Sequence, residues 1–269
     1  MNRSLNRSMK TRDAVGAASL SLCLLVCLAC LSFMSPSSRP VVGAEPGNLL
    51  VAKPKVLIFS KTNGFRHSCI PAGIAAIKKL GEENGFDVDA TEDSTRFRKK
   101  ILKQYAALIF LCPTGKVFGP EEEKALQEYI HHGGGFVGIH AATDCEYNWQ
   151  WYGDLVGGYF KSHPKQQKAS IIVVDKDNAA TKGLPAVWER FDEWYNFKYL
   201  NPSVHVLLKI DESSYQGGEM NGNHPMSWYH DYEGGRAFYT ELGHTDESYA
   251  DPLYLGHLLG GIQYAIGKK

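Results

Sequence analysis

Four apolar runs of about five residues, at 55–60, 86–90, 107–111 and 136–140, alternate with stretches of helical periodicity. This alternation constrains the fold more than any other feature. After the first run, Ile70, Ile74, Ile77 and Leu80 recur at helical spacing until Gly85. A basic helix is expected over 94–104. A further helix starts at Pro120 with Glu121, Glu122 and Glu123 in its first turn, buries Leu126, Tyr129 and Ile130, and ends at Gly133–Gly135. Strands that are apolar throughout are buried on both faces, and helical connections imply right-handed crossovers, so the pattern predicts a parallel sheet between two helical layers.

Beyond His140 the rhythm changes. Residues 141–169 are rich in Trp, Tyr, Phe and Gly without a long periodic helix, and further strands are expected at 170–174 and 204–210. Residues 226–231 and 236–242 flank Glu233-Gly234-Gly235 and predict a C-terminal antiparallel hairpin. Asp251 and Pro252 then open a last helix, with Leu255, Leu258, Leu259, Ile262 and Ile266 facing inward and Gly267 closing it. The expected class is α/β, a flavodoxin-like three-layer fold with a central, mostly parallel sheet.

The beginning of the chain reads as an address. Arg3, Arg7, Lys10 and Arg12 precede an uncharged stretch at 14–34, and Val42-Gly43-Ala44 suits signal-peptidase cleavage. Residues 1–44 are therefore expected to be a signal peptide, 45–54 a linker and 55–269 the folded domain, exported to the periplasm or the extracellular space. The uncharged stretch is also long enough to act as an N-terminal membrane anchor, and Cys30 after Leu28-Ala29 loosely matches a lipoprotein cleavage site. Losing residues 1–44 leaves 24 basic against 28 acidic residues, with no basic patch for nucleic acid. Cys69, Cys112 and Cys145 remain, an odd number at wide spacing, which excludes a disulfide framework but leaves room for one bridge.

In a parallel sheet, ligands bind beyond the carboxyl ends of the strands. That rule selects residues 63–69, 112–115 and 140–144, and places His67 and His140 at the mouth. Cys112-Pro113-Thr114-Gly115 offers N–H groups and a hydroxyl as a cradle for an oxygen. In Gly138-Ile139-His140-Ala141-Ala142, small residues surround one reactive side chain at a sharp strand-to-helix turn. A histidine there serves as base, acid or metal ligand; otherwise it caps the next helix.

Asn63-Gly64-Phe65-Arg66-His67, Gly138-Ile139-His140, Gly157-Gly158-Tyr159-Phe160 with His163-Pro164, Asp192-Glu193-Trp194-Tyr195, and Gly234-Gly235-Arg236-Ala237-Phe238-Tyr239 with Gly243-His244-Thr245 occur in that order. Together they resemble the ThuA-like domain of the trehalose-utilisation family, within the class I glutamine amidotransferase-like superfamily, over nearly all of 55–267. The resemblance implies carbohydrate metabolism. Glutaminase activity is not implied, because His140 stands where that chemistry needs a cysteine. The resemblance aligns Gly243-His244 with the region where amidotransferases hold their base, so His140 and His244 are expected to face each other.

The candidate catalytic residues are His140, His244, Asp192 and Glu193, the acidic pair being weighed against an ordinary surface doublet. Candidate substrate-binding residues are Arg66, His67, His163, Trp149, Tyr195 and Trp228, since aromatic faces stack on sugar rings and polar groups bind hydroxyls. His67, His140, His163 and His244 form a candidate zinc set. His131, His132, His205 and His257 read as structural, as does Trp188. The leading expectation is acid–base chemistry on trehalose, a related glycoside or a keto-sugar, by an isomerase, lyase or hydrolase. The competing readings are a zinc-dependent hydrolase and a non-catalytic carbohydrate-binding accessory protein.

Overall fold

The computed structural model describes residues 52–268; the expected signal peptide or anchor, 1–44, and most of the expected linker lie outside this range. The four apolar runs form β1 (Lys55–Phe59), β2 (Asp87–Thr91), β3 (Ala107–Leu111) and β4 (Gly135–Ile139), connected by α1 (Ile70–Asn84), α2 (Lys99–Leu102) and α3 (Pro120–His131). β1 pairs in parallel with β2 and β3, and β3 with β4. The chain continues through α4 (Gln150–Val156), β5 (Gly158–Ser162), β6 (Gln167–Val173), β7 (Val187–Asp192), β8 (Asn196–Leu200), β9 (His205–Ile210), β10 (Pro225–Tyr232), β11 (Gly235–Thr240) and α5 (Pro252–Ile266).

Nine strands make one sheet in the order β2-β1-β3-β4-β11-β10-β9-β6-β7, while β5 and β8 pair separately. β11 adds to β4 in parallel, and β10 folds back on it as the expected hairpin. β9, β6 and β7 then extend the sheet antiparallel. Alternate residues of the parallel strands feed two cores. Val56, Ile58, Ile109, Val137 and Phe238 pack with Ile70, Ile77, Leu258 and Ile262 of α1 and α5. Leu57, Phe59, Leu108, Phe110 and Phe136 pack with Leu126, Ile130, Tyr152 and Leu155 of α3 and α4. Burial on both faces explains why these strands read as unbroken apolar runs.

Two expectations need correction. The basic helix over 94–104 is a tight turn at Ser94–Arg96, capped by Asp93, followed by the four residues of α2. Phe97 interrupts it: the residue leaves helical geometry and buries its ring 4.7 Å from Phe59 and 4.5 Å from Phe118. β5, β7 and β8 have no counterpart among the expected strands. Along β7 the buried residues are Trp188, Arg190 and Asp192, and the exposed ones include Val187 and Phe191. Two of the three buried residues are charged and two of the three exposed ones are apolar, which erases the usual strand signal.

β4 passes so close to the end of α5 that a side chain on Gly135 would fall on the carbonyl group of Ala265 and approach the carbonyl of Ala106. Both obstacles are backbone and have no rotamer to yield. Gly135→Ala is expected to cost about 1–3 kcal/mol, measured as a lower urea midpoint at unchanged slope.

Candidate functional site

β4 ends at Ile139, and His140 adopts a φ of +49°, in the left-handed region. For a residue with a Cβ this is strained, by about 1–3 kcal/mol. Its carbonyl accepts a 2.9 Å hydrogen bond from the Tyr239 hydroxyl, and its ring Nδ1 lies 2.7 Å from the carbonyl oxygen of Glu241. A carbonyl only accepts, so Nδ1 carries the hydrogen and Nε2 faces the cleft.

His244 follows β11 through Gly243, whose φ is +108° and whose position has no room for a side chain beneath the hydroxyls of Tyr254 and Tyr249. The Gly243 and His244 amides donate to the two carboxylate oxygens of Asp192 at 3.3 and 3.2 Å. Asp192 also accepts from the Glu193 amide and the Ser248 hydroxyl. It is fully buried and acts as a clamp between the chain after β7 and the chain after β11.

That clamp delivers Glu193 to the imidazoles. Its Oε2 lies 3.4 Å from His140 Nε2 and 3.1 Å from His244 Nδ1, and those two nitrogens are 3.0 Å apart. The His67 ring, from the loop after β1, sits 4.9 Å from that of His140 and 5.1 Å from that of His244. One donor atom from each of His67, His140, Glu193 and His244 falls within 4.8 Å of all the others.

Burial, followed by the like charges of His140 and His244, lowers the His67 pKa to about 3. Burial alone would raise the pKa of Glu193, but hydrogen bonds from His140 and His244 outweigh it and keep the group ionised. For His244, burial is likewise outweighed by the hydrogen bond and charge of Glu193, and its pKa rises. The cluster therefore combines a neutral imidazole, a fixed carboxylate and an imidazole that readily holds a proton. His67 Nδ1 is buried with no hydrogen-bond partner.

The other sequence candidates separate. His163 is not in the donor cluster: its half-exposed ring sits at the rim, with Nδ1 3.3 Å from Glu193 Oε1, so Glu193 takes its place in the set. Tyr195 lies under the site, buried, with its ring 4.4 Å from that of His140. Arg66 forms a two-pronged ion pair with Glu92 at the surface. Trp149 stacks on Trp151, which bonds Glu233 in the β10–β11 turn, at the opposite end of the sheet. Trp228 is a core residue, stacked on Tyr239 with its N–H on Val156. The expected oxygen cradle is already occupied: Thr114 Oγ1 bonds Phe65 and Gly64, and the Gly115 amide bonds Asp144. All three cysteines are free and buried, with Cys69 and Cys112 sulfurs 3.9 Å apart.

Three residues of the neighbourhood were not anticipated. Gln166 places its amide 2.7 Å from His244 Nε2, able to donate or, turned over, to accept. Glu241 orients His140 through its carbonyl, while its carboxyl, driven far above the usual range by burial, accepts from the Tyr195 amide. The Asp144 carboxyl is raised by burial and bonded by Tyr147. An acid inside the apolar run that ends in Leu242 was a readable signal for Glu241. Gln166 carried none.

The pH dependence of stability follows from these groups. His67 stays neutral in the folded state where the unfolded chain would take a proton, so stability falls as pH drops from about 6.5 toward 3. Glu193 acts in the same direction below its unfolded value of 4.5. His244, with its raised pKa, contributes stability that is complete below 6.5 and lost as pH rises through the raised value. Metal-free protein is expected to lose a few kcal/mol between about pH 6.5 and 4. His67→Gln should flatten that slope in urea midpoints measured across the range.

The trehalose-utilisation family model, ThuA, matches residues 55–265. A ThuA-like protein from Bacteroides uniformis superposes with a TM-score of 0.68 at 26% identity, covering 82% of this chain and 95% of its own. A second, from Parabacteroides merdae, gives 0.63 at 22%, covering 80% and 91%. A β-galactosidase from Bacillus circulans gives 0.54 at 12%, with 80% of this chain on 31% of that one, a likeness of fold alone. No curated protein matches. Sheet, motif order and family match agree: the chain belongs to the ThuA family of trehalose utilisation.

Proposed function

We propose that this protein is an enzyme of trehalose utilisation that uses a divalent cation, held by His67, His140, Glu193 and His244, for acid–base chemistry on a sugar or keto-sugar. The observation that carries this reading is the convergence of those four donor atoms. Zinc–ligand bonds of about 2.0–2.2 Å at tetrahedral angles put ligand atoms roughly 3.3–3.5 Å apart. The separations among His140, His244 and Glu193, 3.0 to 3.4 Å, are close to that figure. Three imidazoles and one carboxylate suit zinc among common divalent ions, and the unpartnered His67 nitrogen is the kind of atom a bound cation satisfies.

A cation there would polarise a substrate oxygen, making the C–H next to a carbonyl easier to remove. His163, half-exposed and tied only to Glu193 and a neighbouring carbonyl, is free at the rim to accept or deliver the proton. Glutaminase chemistry is not part of the proposal, because His140 occupies the elbow and burial keeps the Cys112 and Cys145 thiols protonated. The substrate is a small carbohydrate, and the basic and uncharged segments before residue 44 support export. Among the described residues no helix is long and apolar enough to cross a membrane.

One observation favours a metal-free variant. With the Gln166 amide donating to His244 Nε2, the hydrogen on Nδ1 would be shared between Glu193 and His140, forming a proton relay.

Zinc titration of chelator-treated protein, by calorimetry in buffers of different ionisation heat, separates the two. Uptake of one equivalent with release of about one proton is expected, because zinc must displace the proton on His244. His140→Ala should weaken zinc binding at least about 100-fold and lower metal-dependent deuterium exchange into a 3-keto-disaccharide by about 100-fold or more. Turnover that persists in chelator, with no zinc uptake, selects the relay. Sugar binding without exchange or cleavage would reduce the protein to a carbohydrate-binding accessory.

A further inference from the structure

Phe65 is 67% exposed, the most exposed large apolar side chain among the described residues, and it stands at the mouth of the histidine cluster. Its ring meets that of His67 edge to face at 4.9 Å. The loop beneath it is fixed. Thr114 Oγ1 donates to the Phe65 carbonyl at 2.8 Å and accepts from the Gly64 amide at 3.2 Å, while the Asn63 amide bonds the Thr114 carbonyl at 2.9 Å. A rigid aromatic with a wet face binds without a further ordering cost, and its face matches the C–H face of a pyranose ring.

We propose that Phe65 is the platform on which the substrate sugar stacks, and that this sugar is neutral rather than phosphorylated. The inference rests on the carbohydrate reading above and narrows it. The other aromatics near the cluster do not offer such a face. Tyr195 is buried beneath His140, and Phe160 is half-buried with its ring 4.3 Å from Tyr195. The adjacent cation, Arg66, has both terminal nitrogens engaged by Glu92 at 3.0 and 2.7 Å, so a phosphate would have to compete with that carboxylate for it. The exposed groups left around the donors, the Gln166 amide and the His163 ring, suit hydroxyls.

The test measures trehalose and trehalose 6-phosphate binding to the full chain with and without added zinc, by calorimetry or saturation-transfer NMR. Phe65→Ala should weaken trehalose binding about tenfold, with zinc affinity and urea midpoint unchanged. Phe65→Trp should match or exceed the wild type, and the 6-phosphate should bind no tighter than trehalose. Unchanged trehalose binding in Phe65→Ala, tenfold tighter binding of the 6-phosphate, or no binding of trehalose by the wild type overturns the proposal. The two readings fail separately. Zinc uptake with no effect of Phe65→Ala removes the platform and keeps the metal site; weakened trehalose binding without zinc uptake does the reverse.

Discussion

Three imidazoles and a carboxylate whose donor atoms lie within 4.8 Å of one another form an electrostatically unstable group unless each ring has a definite protonation state. Burial disfavours every charge, and neighbouring imidazolium ions repel one another. The hydrogen bond from His140 Nδ1 to the Glu241 carbonyl fixes the ring at the centre of the cluster and turns Nε2 inward. The chain after β11 does more than this. From Glu241 to His244 it orients His140 with a carbonyl, supports Tyr195 with a carboxyl, and sets His244 by laying two amides on Asp192. Glu193 then supplies the negative charge that stabilises a proton on His244. In the proposed function a proton and a cation would compete for the same nitrogen at the centre of the cluster.

The parallel part of the fold was legible because its strands are buried on both faces and its helices carry caps and a 3.6-residue period. β1, β3 and β4 sit where the apolar runs lie, and α5 starts at Asp251 and Pro252 as read. The antiparallel extension was less legible. Arg190 and Asp192 point inward from β7 because they bond each other's neighbours, Asp251, Ser248 and the amides before Thr245, rather than fill an apolar core. A strand whose buried side is polar for a tertiary reason carries no hydrophobic alternation to read.

The site shows the same division. The convergence of His67, His140 and His244 was legible because strand ends in a parallel sheet converge and because the family motifs mark them. Glu193 and Asp192 were named as a pair, yet adjacent residues point in opposite directions and only one reaches the donors, a distinction that rests on which loop Asp192 clamps. The tryptophans misled for a related reason. Aromatic richness marks both sugar platforms and cores, and Trp228 with its N–H on a main-chain carbonyl belongs to the core. Phe65, unremarkable in composition, differs by exposure, which only the folded loop reveals.

The donors come from four distant places in the chain, residues 67, 140, 193 and 244, so their positions depend on the packing of the whole sheet rather than on any local motif. This explains why no short metal signature exists in the sequence while the geometry is close. It also gives the antiparallel strands a role. They extend the sheet beyond its parallel part and return the chain after β7 across the carboxyl edge, where Asp192 seizes the β11 loop. Without that return, three imidazoles would face one another with no anion among them, and desolvation together with mutual repulsion would leave them neutral and loosely held. The carboxylate turns a cluster of bases into a site that can hold positive charge, and the strands that deliver it are the part of the fold that sequence periodicity reads least well.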